Sequence, residues 1–303
     1  MHYLEHEGFR LAYLDQKPEE GGGEPILLIH GFASNMSVNW VNPGWVHDLR
    51  RAGYRVIAFD HRGHGKSSAS YDPADYTPSK MAGDAAALLD HLGIERAHVM
   101  GYSMGARVST FLALEHPERV ATLILGGLGI GMVDGVGDWD PIAVALRVED
   151  AATISHPRGK MFRAFADQTK SDRLALAACI ETSRELLTPA EMARLTQPTL
   201  LAVGTKDDIA GSPHELADLM PDAEAFDVEG RDHMLAVGDR TFKKKAVEFR
   251  RDHPFWRVRF PGNPAGAVPG PRRALRRNRG GEKWRRPPAA PCGRRADPSS
   301  PRP

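Results

Sequence analysis

Cysteine is scarce in this 303-residue chain: Cys179 and Cys292 stand far apart, with no C-x-x-C pair and no His/Cys cluster near either. That excludes a disulfide framework and gives no zinc-ligand spacing, so both are read as unpaired thiols and no metal site is expected. Long apolar runs are missing too. No stretch approaches the roughly 18 apolar residues of a membrane span, and Met1 to Glu7 has neither a basic n-region nor an apolar h-region. The expectation is a cytoplasmic protein with no membrane partner. No internal repeat is visible, and the G-x-x-x-x-G-K-S/T phosphate loop does not occur.

Net charge is nearly absent as well, at +1, but this conceals two unlike parts. Residues 251–303 hold 14 Lys and Arg against 3 Asp and Glu, whereas residues 1–250 hold 26 against 36. The basic part is rich in proline and glycine and has almost no periodic apolar pattern, so it cannot bury enough surface to offset chain entropy. A disordered Arg/Pro-rich tail is expected over 251–303. No RNA-binding signature accompanies its arginines, and Trp256 and Trp284 are too isolated to form a stacking platform, so a nucleic-acid partner is not expected.

What the rest contains is alternation. Tyr3 to Glu7 and Phe9 to Asp15 around Gly8 read as an antiparallel hairpin, followed by a glycine-rich turn through Gly21, Gly22 and Gly23. Apolar runs then recur at Ile26–Ile29, Val56–Phe59, Val99–Met100, Thr122–Leu125 and Thr199–Val203, most separated by amphipathic stretches such as Met81 to Leu92. Strands apolar on both faces and alternating with helices predict an α/β fold with a mostly parallel sheet covered on both sides. Between Gly126 and Gln197 the alternation stops. Helical patterns at Pro141–Arg147, Gly159–Gln168, Asp172–Leu187 and Pro189–Leu195 predict a helical cap over 127–196, inserted into a core of residues 1–126 and 197–250.

Residues 97–105 read Ala-His-Val-Met-Gly-Tyr-Ser-Met-Gly and lead directly into the helix-like stretch Ala106 to Glu115. A G-x-S-x-G run between a strand and a helix is the context of a nucleophile elbow, whose tight turn needs flanking positions nearly free of side chain. Ser103 is the candidate nucleophile. Acyl transfer by serine also needs a base, a carboxylate to orient it and donors for the oxyanion. Gly204-Thr205-Lys206-Asp207-Asp208 follows the run Thr199 to Val203, and Gly230-Arg231-Asp232-His233 follows a further short strand at Ala223 to Val228. The order Ser, Asp, His emerges, with the spacing from Gly204 favouring Asp207 over Asp208 as the acid.

Together with His30-Gly31-Phe32 after the third strand and Asp60-His61-Arg62-Gly63-His64-Gly65-Lys66-Ser67 after the fourth, these motifs make Leu11 to Phe249 resemble an α/β-hydrolase of the cap-bearing esterase, lactonase and C–C hydrolase group. The resemblance implies Ser103 as nucleophile, His233 as general base and Asp207 as its orienting acid. It also implies the backbone N–H groups of Phe32 and Met104 as the oxyanion hole, with no cofactor. Physical reasoning agrees on the amides: Met104 opens a helix, where N–H groups lack partners, and Gly31 lets the chain turn Phe32 inward. Ala106 departs from relatives that carry a second glycine there, without removing a catalytic group.

His30 is read as a structural loop residue, and Asp60, Arg62 and Ser67 as a hydrogen-bonded brace. The run Gly126 to Gly131 is read as a flexible hinge into the cap. The principal expectation is a serine hydrolase acting on a small-molecule carboxylic ester or lactone, with oligomeric state left open. Two alternatives stand beside it: C–C bond hydrolysis or perhydrolysis on the same residues, and a ligand-binding protein with little turnover. Recognition of the substrate is expected from the cap and from the loop carrying Phe32, Asn35 and Trp40.

Overall fold

Leucine, isoleucine and valine on both faces of consecutive short runs force a sheet to be covered on both sides, and helices supply the cover. The computed structural model describes residues 1–20, 23–135 and 137–255. The predicted turn at Gly21 and Gly22, Cys292, and the disorder expected of the tail from Trp256 onward fall outside the described residues.

In chain order the elements are β1 (His2–His6), β2 (Phe9–Gln16), β3 (Pro25–Ile29), α1 (Trp45–Arg51), β4 (Arg55–Phe59), α2 (Pro78–His91), β5 (Ala97–Tyr102), α3 (Met104–Glu115) and β6 (Val120–Gly126). There follow α4 (Asp140–Arg147), α5 (Pro157–Thr169), α6 (Arg173–Thr182), α7 (Pro189–Met192), β7 (Thr199–Gly204), α8 (Pro213–Ala217), β8 (Ala223–Val228) and α9 (Arg240–Asp252). The eight strands form one sheet in the order β1-β2-β4-β3-β5-β6-β7-β8. Strand β2 runs antiparallel to β1 and β4, and the remaining pairings are parallel.

Strands β5, β6 and β7 are buried along their whole lengths, as an interior parallel sheet requires. Their side chains alternate between two apolar layers. Leu27, Val99 and Leu123 join Leu88, Leu89, Val108 and Leu112 of α2 and α3 on one face. Leu28, Met100 and Ile124 meet Trp45, Leu49, Phe242 and Phe249 of α1 and α9 on the other. Each such side chain contributes about 1.5–3 kcal/mol by leaving water.

Between β6 and β7 the described residues contain helices and no strand. Two of these helices are shorter than their patterns predict. Helix α6 ends at Thr182 instead of continuing to Leu187, because Arg107 donates to the Glu185 carbonyl at 2.6 Å and Leu187 N–H donates to Met132 O at 3.1 Å. Those tertiary bonds replace the helical ones. Helix α7 is a single turn, Pro189–Met192, opened by a capping box in which Thr188 and Glu191 satisfy each other's backbone N–H.

The boundary expected after residue 250 also shifts. Helix α9 continues to Asp252, Phe255 N–H donates to Glu24 Oε1 at 2.9 Å, and the Phe255 ring lies 4.3 Å from the His98 ring. Proline and charge frequency cannot register such a contact. Among the described residues no helix is long and apolar enough to cross a membrane.

Candidate active site

The chain reverses direction between β5 and α3 on a single residue. Ser103 adopts φ 55°, ψ −115°, a conformation that costs a non-glycine residue about 1–3 kcal/mol and persists only where its surroundings over-determine it. Here the surroundings are glycines and one hydrogen bond. A Cβ on Gly101 would collide with the Gly105 carbonyl, and one on Gly105 with the Ile29 carbonyl, so the approach of α3 to the sheet needs both. Ser103 N–H donates to Gly126 O at 2.8 Å, tying the turn to β6. Ala106, the departure noted above, is fully buried in the apolar layer beside α2.

His233 reaches Ser103 from the loop after β8. The Asp207 carboxylate can only accept, so His233 Nδ1 donates to Asp207 Oδ2 at 2.8 Å, and its Nε2 is left to accept from the Ser103 hydroxyl at 3.0 Å. Asp207 is itself held: its side chain is fully buried, and Oδ1 accepts from the N–H groups of Ile209 at 2.8 Å and Ala210 at 3.0 Å. Tyr102 Oη donates to the His233 carbonyl at 2.6 Å, fixing the histidine loop from the strand that carries Ser103. Asp208 is exposed, and Asp232 turns away to accept from Met234 and Leu235 N–H.

Phe32 and Met104 face the same space. Neither of their N–H groups has a partner among the described residues, whereas the neighbouring Gly31 N–H donates to Asn39 Oδ1 at 2.8 Å. That amide orients the loop, and no periodicity or motif marked Asn39 for it. Trp40, by contrast, is fully buried in the α1 layer and does not line the cavity; Asn39 does. Asn35 instead accepts from Ser37 and Val38 N–H, shaping the loop locally.

The supporting loops behave as a brace. His30 is fully buried; its Nδ1 donates to Gly31 O at 2.8 Å and its Nε2 accepts from His61 N–H at 3.1 Å, which defines a neutral tautomer. Burial pushes its pKa down to about 4, and that of His64 to about 3. Asp60 accepts from Met36 and Lys66 N–H at 2.8 Å each. Arg62 is buried and doubly bonded to Asp84 at 2.6 and 2.7 Å, which leaves it unavailable to a ligand. The glycines at 126–131 are likewise pinned rather than loose: Gly127, Gly129 and Gly131 N–H groups donate to the carbonyls of Ala202 and Ala210, and Gly129 has no room for a Cβ.

Above Ser103 lies a cavity of two lobes, with Phe32, Ser103 and Trp139 shared by both. One lobe runs along Met104, Arg107, Ser183 and Arg184. The other lies beside His233 and is walled by Phe162, Phe165, Met234 and Val237. Among the described residues no group of three His, Cys, Asp or Glu side chains is placed to hold a metal ion.

The sequence profile of the alpha/beta hydrolase fold matches residues 24–155. Over 140 residues the chain is 36% identical to the dihydrolipoyllysine-residue acetyltransferase component of the acetoin cleaving system of Cupriavidus necator, covering 46% of this chain but only 33% of that relative's length. Rhodomycin D methylesterase of Streptomyces sp. (strain C5) is 30% identical over 273 residues, covering 72% of this chain and 89% of the esterase. Among solved structures, the enol-lactonase of Burkholderia xenovorans LB400 superposes with a TM-score of 0.65 at 26% identity, covering 82% of this chain and 98% of that one. A 30% identical match that covers 72% of this chain and 89% of the esterase, together with the profile match and an eight-stranded sheet of this order, places the chain in the α/β-hydrolase fold family.

Proposed function

We propose that the protein is a serine hydrolase that cleaves a small carboxylic ester or lactone through an acyl-enzyme. The observation that carries this reading is the hydrogen-bonded series Ser103 Oγ, His233 Nε2, His233 Nδ1, Asp207 Oδ2, with both links at or under 3.0 Å. In the proposed reaction Ser103 Oγ attacks the acyl carbon while His233 Nε2 takes its proton, and the developing oxyanion is met by the N–H groups of Phe32 and Met104. Collapse expels the alcohol, which receives the proton from His233. Water, deprotonated by the same nitrogen, then attacks the acyl-enzyme and releases the acid and Ser103.

No cofactor enters this route. A serine at 103 also lacks the carboxylate that alkyl-enzyme chemistry on epoxides needs. In this reading residues 127–196 act as a cap that closes the cavity against water, since Trp139, Phe162, Phe165 and Arg184 supply its outer walls.

The test is labelling of the purified protein with a fluorophosphonate, with mass mapping of the adduct, alongside hydrolysis of short-chain esters. Stoichiometric modification at Ser103, with Ser103→Ala folded and slower by about 10⁶-fold, is the expected result. Absence of labelling in a folded sample, or near-normal turnover by Ser103→Ala, would overturn the reading.

A further inference from the structure

The two lobes differ in charge, and the chemistry proposed above decides which half of an ester each must take. His233 has to hand its proton to the leaving oxygen, so the alcohol half belongs in the lobe that His233 lines. The acyl half then extends past Met104 into the other lobe. That lobe holds two arginines and no acid.

Arg107 is buried and donates only to carbonyls, those of Gly131, Met132 and Glu185 at 3.2, 3.1 and 2.6 Å. Burial, with the charge of Arg184 nearby, pushes its pKa down to about 10. Arg184 spends its Nε on Ile180 O at 3.3 Å and lays its guanidinium 5.1 Å from the centre of the Trp139 ring. Its terminal nitrogens make no ion pair or hydrogen bond among the described residues; Asp138 and Asp140 attract it only from beyond ion-pair distance. Two further donors on the same walls lack acceptors: Trp139 Nε1, and the Ser183 hydroxyl, which lies beside the weakly polar Cys179 thiol and makes no hydrogen bond of normal geometry. Buried donors are nearly always satisfied, so the Trp139 and Ser183 donors left open beside the half-buried Arg184 fork mark a place for an acceptor.

Resting on the serine-hydrolase reading, we propose that this lobe recognises a carboxylate on the acyl half, so that the substrate is a monoester of a short dicarboxylic acid. The Arg184 fork matches a planar carboxylate, which accepts two parallel N–H bonds, and the Ser183 and Trp139 donors supply the remaining contacts. The overall reaction consumes one water, breaks the acyl–oxygen bond, and yields a dicarboxylate, the free alcohol and one proton. Arg184 is a specificity-determining residue here, and Arg107 supplies field while holding the chain at Gly131–Met132 and Glu185.

The experiment compares kcat/KM for the mono-p-nitrophenyl esters of succinic, glutaric and adipic acids with those of the neutral butyrate and hexanoate esters. It uses the full chain, Arg184→Gln and Arg184→Lys, with folding checked by circular dichroism. At least one half-ester should be preferred over its neutral counterpart, and Arg184→Gln should lower that ratio by about 10–100-fold, chiefly through KM. Arg184→Lys should retain part of the preference, and added salt should reduce it. Turnover of neutral esters with no preference for any half-ester, or a ratio unchanged in Arg184→Gln, would overturn the proposal and leave the hydrolase reading standing.

If Ser103 takes no fluorophosphonate label, the hydrolase reading fails instead. Calorimetric titration with glutarate then still decides the lobe: binding weakened about 10–100-fold in Arg184→Gln supports it, and no binding to the unsubstituted protein overturns it.

Discussion

Ser103, Asp207 and His233 each follow the carboxyl end of a strand, β5, β7 and β8 respectively, by no more than five residues, whereas Trp139, Phe162, Ser183 and Arg184 come from the helical segment between β6 and β7. The first group is positioned by backbone: glycines that permit close approach, a strained φ at Ser103, and N–H groups that hold Asp207. The second is positioned by side-chain packing, as where Phe162 sits 5.6 Å from the rings of both Phe32 and Trp139. In the proposed reaction, strand ends therefore carry the groups that do chemistry, and the helices carry those that meet the ligand. This division follows from rigidity: a ladder of backbone hydrogen bonds holds a geometry to fractions of an ångström, while helix packing tolerates substitution.

The largest expected effect lies on the strand-end side. Asp207→Asn removes the acceptor that holds His233 Nδ1, and should lower esterase turnover by about 10⁴-fold with the fold intact; turnover within tenfold of normal would mean that the carboxylate does not orient the histidine. Next comes Gly105→Ala, whose new methyl meets the Ile29 carbonyl. It should cost about 3 kcal/mol in urea denaturation, and a neutral result would show that α3 can shift away from the sheet.

Acid sensitivity belongs to the sheet and its loops rather than to the helical segment. His30, His64 and His98 have pKa values pushed down by burial to about 4, 3 and 3 from 6.5, so the unfolded chain takes up protons first as pH falls. Their contribution is complete above pH 6.5 and should be lost as pH falls, toward pH 4 for His30 and toward pH 3 for His64 and His98, at about 1.4 kcal/mol per pH unit for each histidine. Denaturation midpoints that stay level between pH 7 and pH 4.5 would contradict this.

The smallest effect is expected from the helical segment. Trp139→Phe should leave Ser103 open to fluorophosphonate while shifting the preference among esters of different alcohol size by about tenfold. Loss of labelling would erase the contrast between the two regions.

Much of the strand-end region was legible because its requirements are local. Alternation of apolar runs located the parallel strands, and G-x-S-x-G marked a turn that only side-chain-free flanks can make. The spacing from Gly204 favoured Asp207 over Asp208. Little of the helical segment was legible to the same depth. Its helices could be counted, but the end of α6 depended on Arg107, far away in sequence, taking the Glu185 carbonyl. Asn39 and Tyr102 left no signal, since an amide that orients Gly31 and a hydroxyl that anchors His233 look like any other loop Asn or strand Tyr until the chain is folded.

Local steric and periodic constraints let the amino-acid sequence alone determine the sheet, the Ser103 turn and the order Ser, Asp, His. Tertiary structure alone decided that the two arginines at 107 and 184 share one lobe without an acid, and that Phe32, Ser103 and Trp139 border both lobes. Those facts depend on contacts between residues dozens of positions apart, whose balance of burial and hydrogen bonding exists only once the chain has packed.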